Sequence, residues 1–563
     1  MKKHAISLIR LLVLLGISAA LSSCTTGPSA VKNARVFNVK SFGATGDGKT
    51  LDTDAINKAI DSANAAGGGT VFFPAGTYAS YSVRLKSNVA LYLDAGATLL
   101  AADPPPAGTP GGYDAPEPNK FDWYEDFGHS HWHNSLIWGE NLENVSILGP
   151  GRIFGKGLSR GMGRKDPLPG EPRPAFGSRS TNATAFASGG TNQPGAGPFG
   201  YPSARDTLAA GVGNKAIALK NCHNVILRDF TIFHGGHFGI LAIATDNFTL
   251  DNLKIDTNRD GMDVDCCKNV RISNCTVNSP GDDGICLKSC FGLGYNRGTE
   301  NVTIVNCQVS GYDEGTLLDG TYKRSPRTRG WPTGRIKLGT EANGGFKNIT
   351  IANCVFEYCC GLALESVDGG ALEDVSVSNL TMRDIGNAPI FVRLGNRARG
   401  PEGTPVSTVR RVNIDNVIAY NVSADHGILI VGLTNHPIED VRLSNIRIVY
   451  NGGGTAEQAA RDVPEGEKEY PEPSRFGRIP SWGMFARHVR GLEVSNLEVS
   501  FQKEDQRPAF ILDDVKGVNF SFSKAQCATN TPVFKLKNVE DFGAFQIHGV
   551  PDTRIEHAEQ RSF

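Results

Sequence analysis

Short runs of alternating apolar residues recur along the chain, and pairs of runs change phase at a single asparagine. In NVRISNCTV, Val270 and Ile272 alternate before Asn274, and the apolar set resumes one position out of phase at Cys275 and Val277. Because side chains alternate between the two faces of a strand, this slip requires the chain to bend at the asparagine. The pattern predicts two short strands that meet at a corner.

The bent phrase repeats, at its shortest every 22 residues or so. It returns at residues 302–309 and 349–356 and recurs around further polar corner residues: Asp229, Asn252, Asn379, Asn416, Asn445 and Asn496. Such repeats are typical of an all-β solenoid, a parallel β-helix whose strands stack roughly 4.8 Å apart. Antiparallel hairpins would show turn signals without the slip. We expect the corner asparagines to hydrogen-bond along the stack.

A short helix and several long loops complete the predicted architecture. Helical spacing over residues 52–66 predicts a helix that caps the solenoid, with Asp52 or Thr53 as its N-cap. Variable spacing between the corners indicates inserted loops, which we expect to wall one groove of the solenoid. The large loops are predicted at about residues 102–133, 156–213, 291–332 and 452–481.

The N-terminus resembles a bacterial lipoprotein signal. Basic residues precede an apolar run over residues 11–20, which is too short to span a bilayer, and small residues lead into Cys24. The pattern predicts a signal peptide over residues 1–23, a lipidated Cys24, a tether over 24–36 and a β-helix domain over 37–555. An ordinary cleaved signal with an incidental cysteine is the alternative. The first hypothesis predicts an exported protein, anchored by lipid in the outer membrane or periplasm.

Net charge and cysteine content bear on the binding partners and on the disulfides that the chain can form. A formal net charge of −1 gives no electrostatic reason to expect nucleic acid or an anionic membrane surface as partner. Eleven cysteines follow Cys24, an odd number that argues against complete disulfide pairing. We expect mostly buried thiols, with stacked apolar fillers at Cys275, Cys307 and Cys354. Two doublets, Cys266-Cys267 and Cys359-Cys360, could form a disulfide or metal framework, but no CxxC pair supports zinc.

The candidate chemistry is concentrated in residues 258–288, which contain five aspartates. The phrase Asp-Gly-apolar occurs twice there, beginning at Asp260 and at Asp283, and the two copies begin equivalent strands of adjacent coils. Their carboxylates should lie one rung apart, with Asp282 beside them, so that like charges raise at least one pKa. Such a set supplies the acid and the base that glycosidic cleavage needs. Simple Asp-Gly turns and calcium binding are the alternatives.

Other polar residues follow from the same alternation. Outward positions of the third strand of each coil predict a polar groove for a long hydroxyl-rich or acidic ligand, formed by Asp263, Asp265, Lys288, Lys337, Glu365 and Arg393. His237 lies one coil before Asp260 and is a candidate substrate contact. Alternate histidines at 129, 131 and 133 allow a metal site, although wall contacts are the commoner role. Aromatic rings that could stack on sugars are Trp123, Tyr124, Trp132 and Trp482.

The motifs resemble those of polygalacturonase-type enzymes, glycoside hydrolase family 28. Asn258-Arg259-Asp260-Gly261 followed by Gly281-Asp282-Asp283 is similar to the Asn-Thr-Asp and Gly-Asp-Asp motifs of that family. The similarity extends from FGATGDG at residue 42 through GTEANGGFKNITI to YPEP and ARHVRGLEVSN. The resemblance implies a right-handed, single-stranded parallel β-helix and an inverting hydrolase. It also implies that Asp282 is the general acid, that Asp260 and Asp283 hold and activate water, and that Asn258 binds substrate.

The chain departs from the family pattern at two places. Thr333-Gly334-Arg335 replaces the family's Gly-His-Gly, and Ala363-Leu364-Glu365 stands where Arg-Ile-Lys should bind a galacturonate carboxylate. The sequence Arg335-Ile336-Lys337 spells the second motif one coil too early, so its position is coincidental, although both cations could still face the groove. Arg393 and Lys288 are further candidates for binding an acidic sugar. Glu365 in the groove predicts a neutral sugar at one subsite.

Three hypotheses about function remain at this point. The first is an exported, cofactor-free and monomeric glycosidase that hydrolyses a pectic polysaccharide or oligosaccharide of plant cell walls, of galacturonan or rhamnogalacturonan type. Loops that close the groove ends favour exo action. The second is a calcium-dependent polysaccharide lyase on the same fold, with Lys288 or Arg335 as base. The third is a catalytically silent carbohydrate-binding solenoid.

Overall fold

The structure, a computed structural model, describes residues 35–106, 108–125, 129–160, 210–325 and 330–563. The predicted signal peptide, Cys24, most of the tether and most of the 156–213 loop lie outside the described residues. Within the described part, no helix has both the length and the apolar character needed to cross a membrane.

The chain folds as a right-handed parallel β-helix of three sheets, as predicted. The first sheet stacks β1 (Val36–Asn38), β3 (Gly69–Phe73), β6 (Val89–Leu93), β9 (Glu143–Leu148), β12 (His223–Arg228), β15 (Asp246–Asp251), β18 (Lys268–Ser273) and β21 (Thr299–Val305). The second stacks β2 (Asp47–Leu51), β4 (Gly76–Ser80), β7 (Ala97–Ala101), β10 (Arg152–Phe154), β13 (Thr231–Phe233), β16 (Lys254–Asp256), β19 (Thr276–Asn278) and β22 (Gln308–Ser310).

The third sheet carries the predicted site. It stacks β5 (Val83–Arg84), β8 (Ile137–Glu140), β11 (Lys215–Lys220), β14 (Phe238–Ile243), β17 (Asp260–Asp265), β20 (Ile285–Ser289), β23 (Ile336–Ala342), β25 (Leu362–Ser366), β27 (Ile390–Leu394) and β29 (Ile428–Val431). Later strands run through corners and serve more than one sheet: β24 (Phe346–Cys359), β26 (Ala371–Ile385), β28 (Thr408–Val422), β30 (Ile438–Gly452), β31 (Met484–Lys503), β32 (Phe510–Ser521) and β34 (Phe534–Phe545). The short strand β33 (Lys524–Ala525) pairs with β31. Strand β35 (Thr553–Ser562) pairs antiparallel with β34.

The corner residues form the expected hydrogen-bonded ladder. Asn379 has φ of 56°, a left-handed conformation that asparagine tolerates better than most residues. Its amide donates to Asn353 at 2.9 Å and its oxygen accepts from Asn416 at 2.8 Å. A second ladder, which the sequence pattern did not predict, runs through a corner within the first sheet and includes Asn269, whose amide donates to Asn247.

The interior of the solenoid is a stack of apolar side chains and thiols. Cys275, Cys307 and Cys354 are buried in this core, which confirms their predicted role as fillers. All eleven cysteines after Cys24 are free thiols, and Cys527 alone among them is exposed. Neither cysteine doublet therefore forms a disulfide. Each apolar side chain so buried contributes roughly 1.5–3 kcal/mol toward folding.

The helix α1 (Thr53–Ala65) lies at the N-terminal end with its apolar face buried, as predicted. Asp52 is the N-cap residue, as predicted, but its side chain makes no capping hydrogen bond; its carboxylate instead accepts from the backbone N–H of Thr45 at 2.7 Å and of Gly46 at 3.0 Å. The predicted 291–332 loop is also wrong as one loop, since β21 and β22 lie inside it. The loop over residues 395–407, between β27 and β28, was not predicted from the sequence.

Candidate active site

Equivalent positions of two adjacent coils, the first residue of β17 and a residue just before β20, bring Asp260 and Asp283 together. Strand β17 begins at Asp260, and its pairing of Met262 with Ile285 of β20 sets Asp260 opposite Asp283. The backbone N–H of Gly261 donates to the Asp283 carbonyl at 3.0 Å, which fixes this register. The predicted one-rung separation of the two acids is confirmed.

The glycine before the doubled aspartate allows a close approach between the coils. The N–H of Gly281 donates to the Asn258 carbonyl at 2.8 Å, and a β-carbon at Gly281 would clash with that oxygen. This contact places half-buried Asn258 beside the acids. Oxygens of Asp260, Asp282 and Asp283 lie within 4.8 Å of one another.

The three carboxylates have different surroundings. The side chains of Asp260 and Asp283 are 5% and 4% exposed, whereas that of Asp282 is 31% exposed. Burial and the neighbouring Asp282 raise the pKa of Asp260 well above its ordinary value. Asp260 therefore holds a proton more readily than a free aspartate, and Asp282 is the carboxylate that a ligand reaches first.

Two buried cations keep Asp283 ionised. Arg335 Nε donates to Asp283 Oδ1 at 2.8 Å, and Lys337 Nζ lies 3.3 Å from Oδ2. Burial alone would favour the neutral acid, but Lys337 and Arg335 outweigh it and lower the pKa of Asp283 to about 2. The coincidental Arg-Ile-Lys sequence thus places both of its cations on a catalytic candidate rather than on an open groove.

Arg259, which was not predicted as a site residue, contacts two of the acids. One terminal nitrogen of its guanidinium lies 2.8 Å from Asp282 Oδ2 and 3.8 Å from Asp260 Oδ2. Its side chain is 31% exposed, far more than that of Arg335 or Lys337, each at 1%. The available signal was that Arg259 replaces the Thr of the family's Asn-Thr-Asp motif.

The predicted polar groove is not an open surface. Strand register places Lys337 level with Asp263 and Ala363, in a different row from Lys288 and Glu365. All these polar side chains are at most 5% exposed, because loops cover this face of the third sheet. The alternation correctly predicted that these side chains point outward from the sheet, but the prediction that they are exposed to solvent was wrong.

Glu341 of β23, together with residues of the covering loops, turns part of this row into an ion-pair network. Lys288 Nζ lies 3.0 Å from Glu341 and 3.8 Å from Asp263, while Arg399 of the 395–407 loop lies 2.7 Å from Glu341. His129 Nε2 lies 3.1 Å from Asp263. Burial lowers the pKa of Lys288, but the surrounding acidic groups outweigh burial and raise that pKa well above its ordinary value. Lys288 is therefore a poor candidate for a free base.

Glu365 and Arg393 do not face a sugar groove either. Glu365 is fully buried with Lys337 Nζ at 3.6 Å, and burial raises its pKa to about 7. Arg393 donates to the carbonyl of Gly466 at 2.9 Å, beneath the 452–481 loop. The predicted exposure of Glu365 and Arg393 in the groove is therefore wrong, and Glu365 gives no support for a neutral-sugar subsite.

Within the described residues, the histidines do not form a metal centre. His237 is buried, its Nδ1 hydrogen-bonded to the Arg160 carbonyl at 2.7 Å and its Nε2 3.5 Å from Arg259. Burial and Arg259 lower the pKa of His237 well below its ordinary value. Among the described residues, His131 and His133 contact carboxylates other than the Asp263 that binds His129, so the three rings do not converge.

Two of the proposed sugar-stacking aromatics are core residues instead. Trp132 and Trp482 are fully buried, and Tyr124 packs its edge against Phe291. The Trp123 side chain lies outside the described residues. An aromatic residue from the YPEP segment reaches the site instead: Tyr470 is 37% exposed, and its hydroxyl lies 3.4 Å from Lys337 Nζ. Glu472 of the same segment pairs with Arg335.

The cluster of Asp260, Asp282 and Asp283 could also hold a metal ion. Its oxygen-only donors suit a hard cation such as Ca²⁺. Arg259, Arg335 and Lys337 already place positive charge around these carboxylates, which weakens the electrostatic need for an added cation.

Family models and relatives agree with the fold. Residues 36–103 match a model described as rhamnogalacturonase A/epimerase, pectate lyase-like, and residues 203–328 match one described as a right-handed β-helix region. An exo-poly-alpha-D-galacturonosidase of Dickeya chrysanthemi is 26% identical over 389 residues, which cover 66% of this chain and 59% of that relative.

Two further proteins extend the comparison. A probable polygalacturonase of Vitis vinifera is 22% identical over 429 residues, covering 72% of this chain and 73% of the relative. The solved structure of a family 28 exopolygalacturonase of Yersinia enterocolitica superposes with a TM-score of 0.50 at 20% identity, covering 91% of this chain and 77% of that one. The structural likeness supports the right-handed β-helix.

Proposed function

Because the chain is polygalacturonase-like, we propose that it is a glycoside hydrolase that cleaves O-glycosidic bonds in a pectic polysaccharide or oligosaccharide. The observation that carries the proposal is the cluster of three carboxylates in unlike surroundings, of which Asp282 is accessible, Asp260 is biased toward the protonated form and Asp283 toward the ionised form. General acid–base catalysis of glycoside hydrolysis requires such a division.

We assign the roles from exposure and from the family resemblance. Asp282 is the general acid, because its side chain extends farthest into solvent and can meet the glycosidic oxygen. Asp260 and Asp283 lie beneath it and hold the attacking water. Because the three acids interact, the proton that Asp260 retains in the free protein can move to Asp282, which then carries it as the general acid.

Inversion of the anomeric centre is part of the proposal. Opposed carboxylates of inverting enzymes usually lie about 6.5–9.5 Å apart, with water between them. The closest oxygens here lie within 4.8 Å, so water must bind beside the cluster, on the side of Asp260 and Asp283, rather than between two opposed groups.

The substrate is proposed to contain galacturonate, as a galacturonan or a rhamnogalacturonan. Arg259 supports this assignment because it is the accessible cation beside the acids, and guanidinium groups bind carboxylates in two-pronged geometry. Exo action is proposed from the long loops that cover the third sheet.

We further propose that the protein is exported, acts as a monomer and is anchored to the membrane by a lipid on Cys24. Radiolabelled palmitate should be incorporated into the wild-type protein but not into the Cys24→Ala variant.

The experiment is product analysis with homogalacturonan and rhamnogalacturonan supplied separately. Hydrolysis by the wild type, lost in a folded Asp282→Asn variant, is expected. Cleavage of neither polymer, with cleavage of a neutral glycan, would contradict the galacturonate assignment.

A calcium-dependent lyase is the second candidate, favoured by the oxygen-only cluster. It predicts loss of activity with a chelator and ultraviolet absorbance from an unsaturated product. A silent carbohydrate-binding protein predicts binding without turnover.

A further inference from the structure

A second cluster of ionisable groups lies at the opposite end of β17 from Asp260 and plays no part in the proposed hydrolysis. Asp265 ends β17, Cys266 follows it, and Cys290 follows β20 on the next coil. One ligand atom from each of these three residues lies within 4.8 Å of the others. All three side chains are fully buried, so this cluster is separate from the solvent-facing Asp282.

A fourth ligand comes from the 102–133 loop. Gly292 lies between Glu125 and Cys290, because a β-carbon at this glycine would be 3.8 Å from Glu125 Cδ and 3.1 Å from Cys290 Sγ. Glu125 is itself 5% exposed. The absence of a side chain at Gly292 therefore leaves the carboxylate and the thiol on two sides of the same small space.

Carboxylate oxygens in this space have few hydrogen-bond partners. Among the residues that the structure describes, no conventional hydrogen bond reaches Glu125 Oε1, Glu125 Oε2 or Asp265 Oδ2, and the Cys290 thiol is a weak donor beside both carboxyls. The other oxygen of Asp265 accepts from the Cys290 N–H at 2.8 Å and from the Cys266 thiol at 3.3 Å. An unsatisfied buried carboxylate oxygen costs about 1–3 kcal/mol or more. These oxygens and the two thiols form a buried set of ligand atoms that the protein itself leaves incompletely satisfied.

We propose that Glu125, Asp265, Cys266 and Cys290 form a four-ligand zinc site that pins the 102–133 loop to the third sheet. Zinc takes four tetrahedral ligands from thiolates, imidazoles and carboxylates. At bond lengths of about 2.0–2.3 Å, tetrahedral ligand atoms lie roughly 3.3–3.8 Å apart, so contraction of about 1 Å completes the three-residue part. The thiolates favour zinc over calcium or magnesium, which prefer oxygen ligands.

Binding is coupled to loss of protons. Burial raises the pKa of Cys266 to about 12 and also raises the pKa of Cys290 and of Glu125, with nearby Glu341 adding to the effect on Glu125. Zinc binding therefore requires the two thiols and the Glu125 carboxyl to give up their protons to solvent.

The test is metal analysis of the full-length protein, purified in reductant and dialysed against micromolar zinc. We expect elemental mass spectrometry to find about one zinc ion per chain, the ratio of a single structural site. Cobalt(II) in place of zinc should give thiolate-to-metal charge-transfer absorption, which a carboxylate-only site cannot give. This readout does not depend on hydrolytic activity, so it stands or fails separately from the proposed function.

Variants separate this site from adventitious thiol binding. A double variant, Cys266→Ser with Cys290→Ser, should lose the zinc, and Glu125→Gln should weaken binding at least tenfold while leaving both thiols intact. Two controls should keep the metal: Cys527→Ser removes the exposed thiol, and Cys286→Ser removes a buried thiol on β20 outside the cluster.

Three outcomes would overturn the proposal. They are wild-type protein with less than a tenth of an equivalent of zinc, unchanged zinc in the double variant, and a Cys266–Cys290 disulfide in wild-type protein by mass spectrometry. If the double variant fails to fold, the cobalt spectrum of wild type and the Glu125→Gln affinity decide, and a missing charge-transfer band rejects the site.

Discussion

Replacing Lys337 with methionine removes one of two cations that hold Asp283 ionised and keeps much of the apolar stem. Lys337 Nζ lies 3.3 Å from Asp283, and together with Arg335 it lowers the pKa of this carboxyl from 3.8 to about 2 despite burial. At an effective dielectric constant of about 20, unit charges at that distance interact by about 5 kcal/mol, an upper bound of roughly 4 pKa units. Because Arg335 remains, we expect the pKa of Asp283 to rise by about 1–3 units.

The sign of the effect follows from the direction of the shift. A depressed pKa means that Asp283 is ionised in the folded protein above about pH 2, and that its stabilising ion pairs are lost as the pH falls through this value. In Lys337→Met the same protonation occurs at higher pH. The acidic limb of the kcat/KM profile on an oligogalacturonate should therefore move upward by about 1–3 units.

Two controls make this result specific. Lys347→Met removes a lysine whose side chain is 58% exposed and pairs with Glu373, and it should leave the profile unchanged. Lys337→Arg should restore most of the wild-type limb, since it keeps the charge. An acidic limb that stays in place in a folded Lys337→Met protein would refute the assignment of Asp283 as the charged base held by Lys337.

Three other predictions test the site and the fold. Asp282→Asn should lower kcat by about 10²–10⁴ without lowering Tm, because it removes a largely solvent-facing proton donor; equal activity would exclude Asp282 as the acid. Arg259→Ala should lower kcat/KM by roughly 10–150-fold, the loss of one charged hydrogen bond, with partial recovery in Arg259→Lys; no change would exclude Arg259 from substrate binding. Asn379→Ala should cost about 2 kcal/mol in urea unfolding, through its φ of 56° and two ladder hydrogen bonds, and Asn379→Gly about half as much; equal losses would mean that φ contributes nothing.

Local sequence pattern predicted the features that depend on the repeat. The phase slip at each asparagine identified the corners, and the two Asp-Gly phrases set Asp260 opposite Asp283, because strand stacking converts equal positions in the repeat into neighbours in space. The same reasoning identified Cys275 and its stacked equivalents as core fillers.

Features that depend on loops were not predictable in this way. Alternation shows which side of a strand a residue faces, but not what covers that side. The 395–407 loop brings Arg399 onto Glu341, the partner of Lys288, and Glu472 lies more than 130 residues from its partner Arg335. Arg259 was within reach of the sequence argument, since a cation beside Asp260 at a position where the family has threonine is a chemical difference next to the acids.

The most direct test of the central claim is time-resolved proton NMR of the products formed from homogalacturonan and from rhamnogalacturonan. The proposal predicts that wild-type protein cleaves at least one of them by hydrolysis and that the new reducing end first appears with the inverted anomeric configuration. The Asp282→Asn protein should give no new signal. Retained configuration would contradict inversion, an unsaturated product would favour the lyase, and intact polymers with bound protein would show a carbohydrate-binding solenoid instead of a hydrolase.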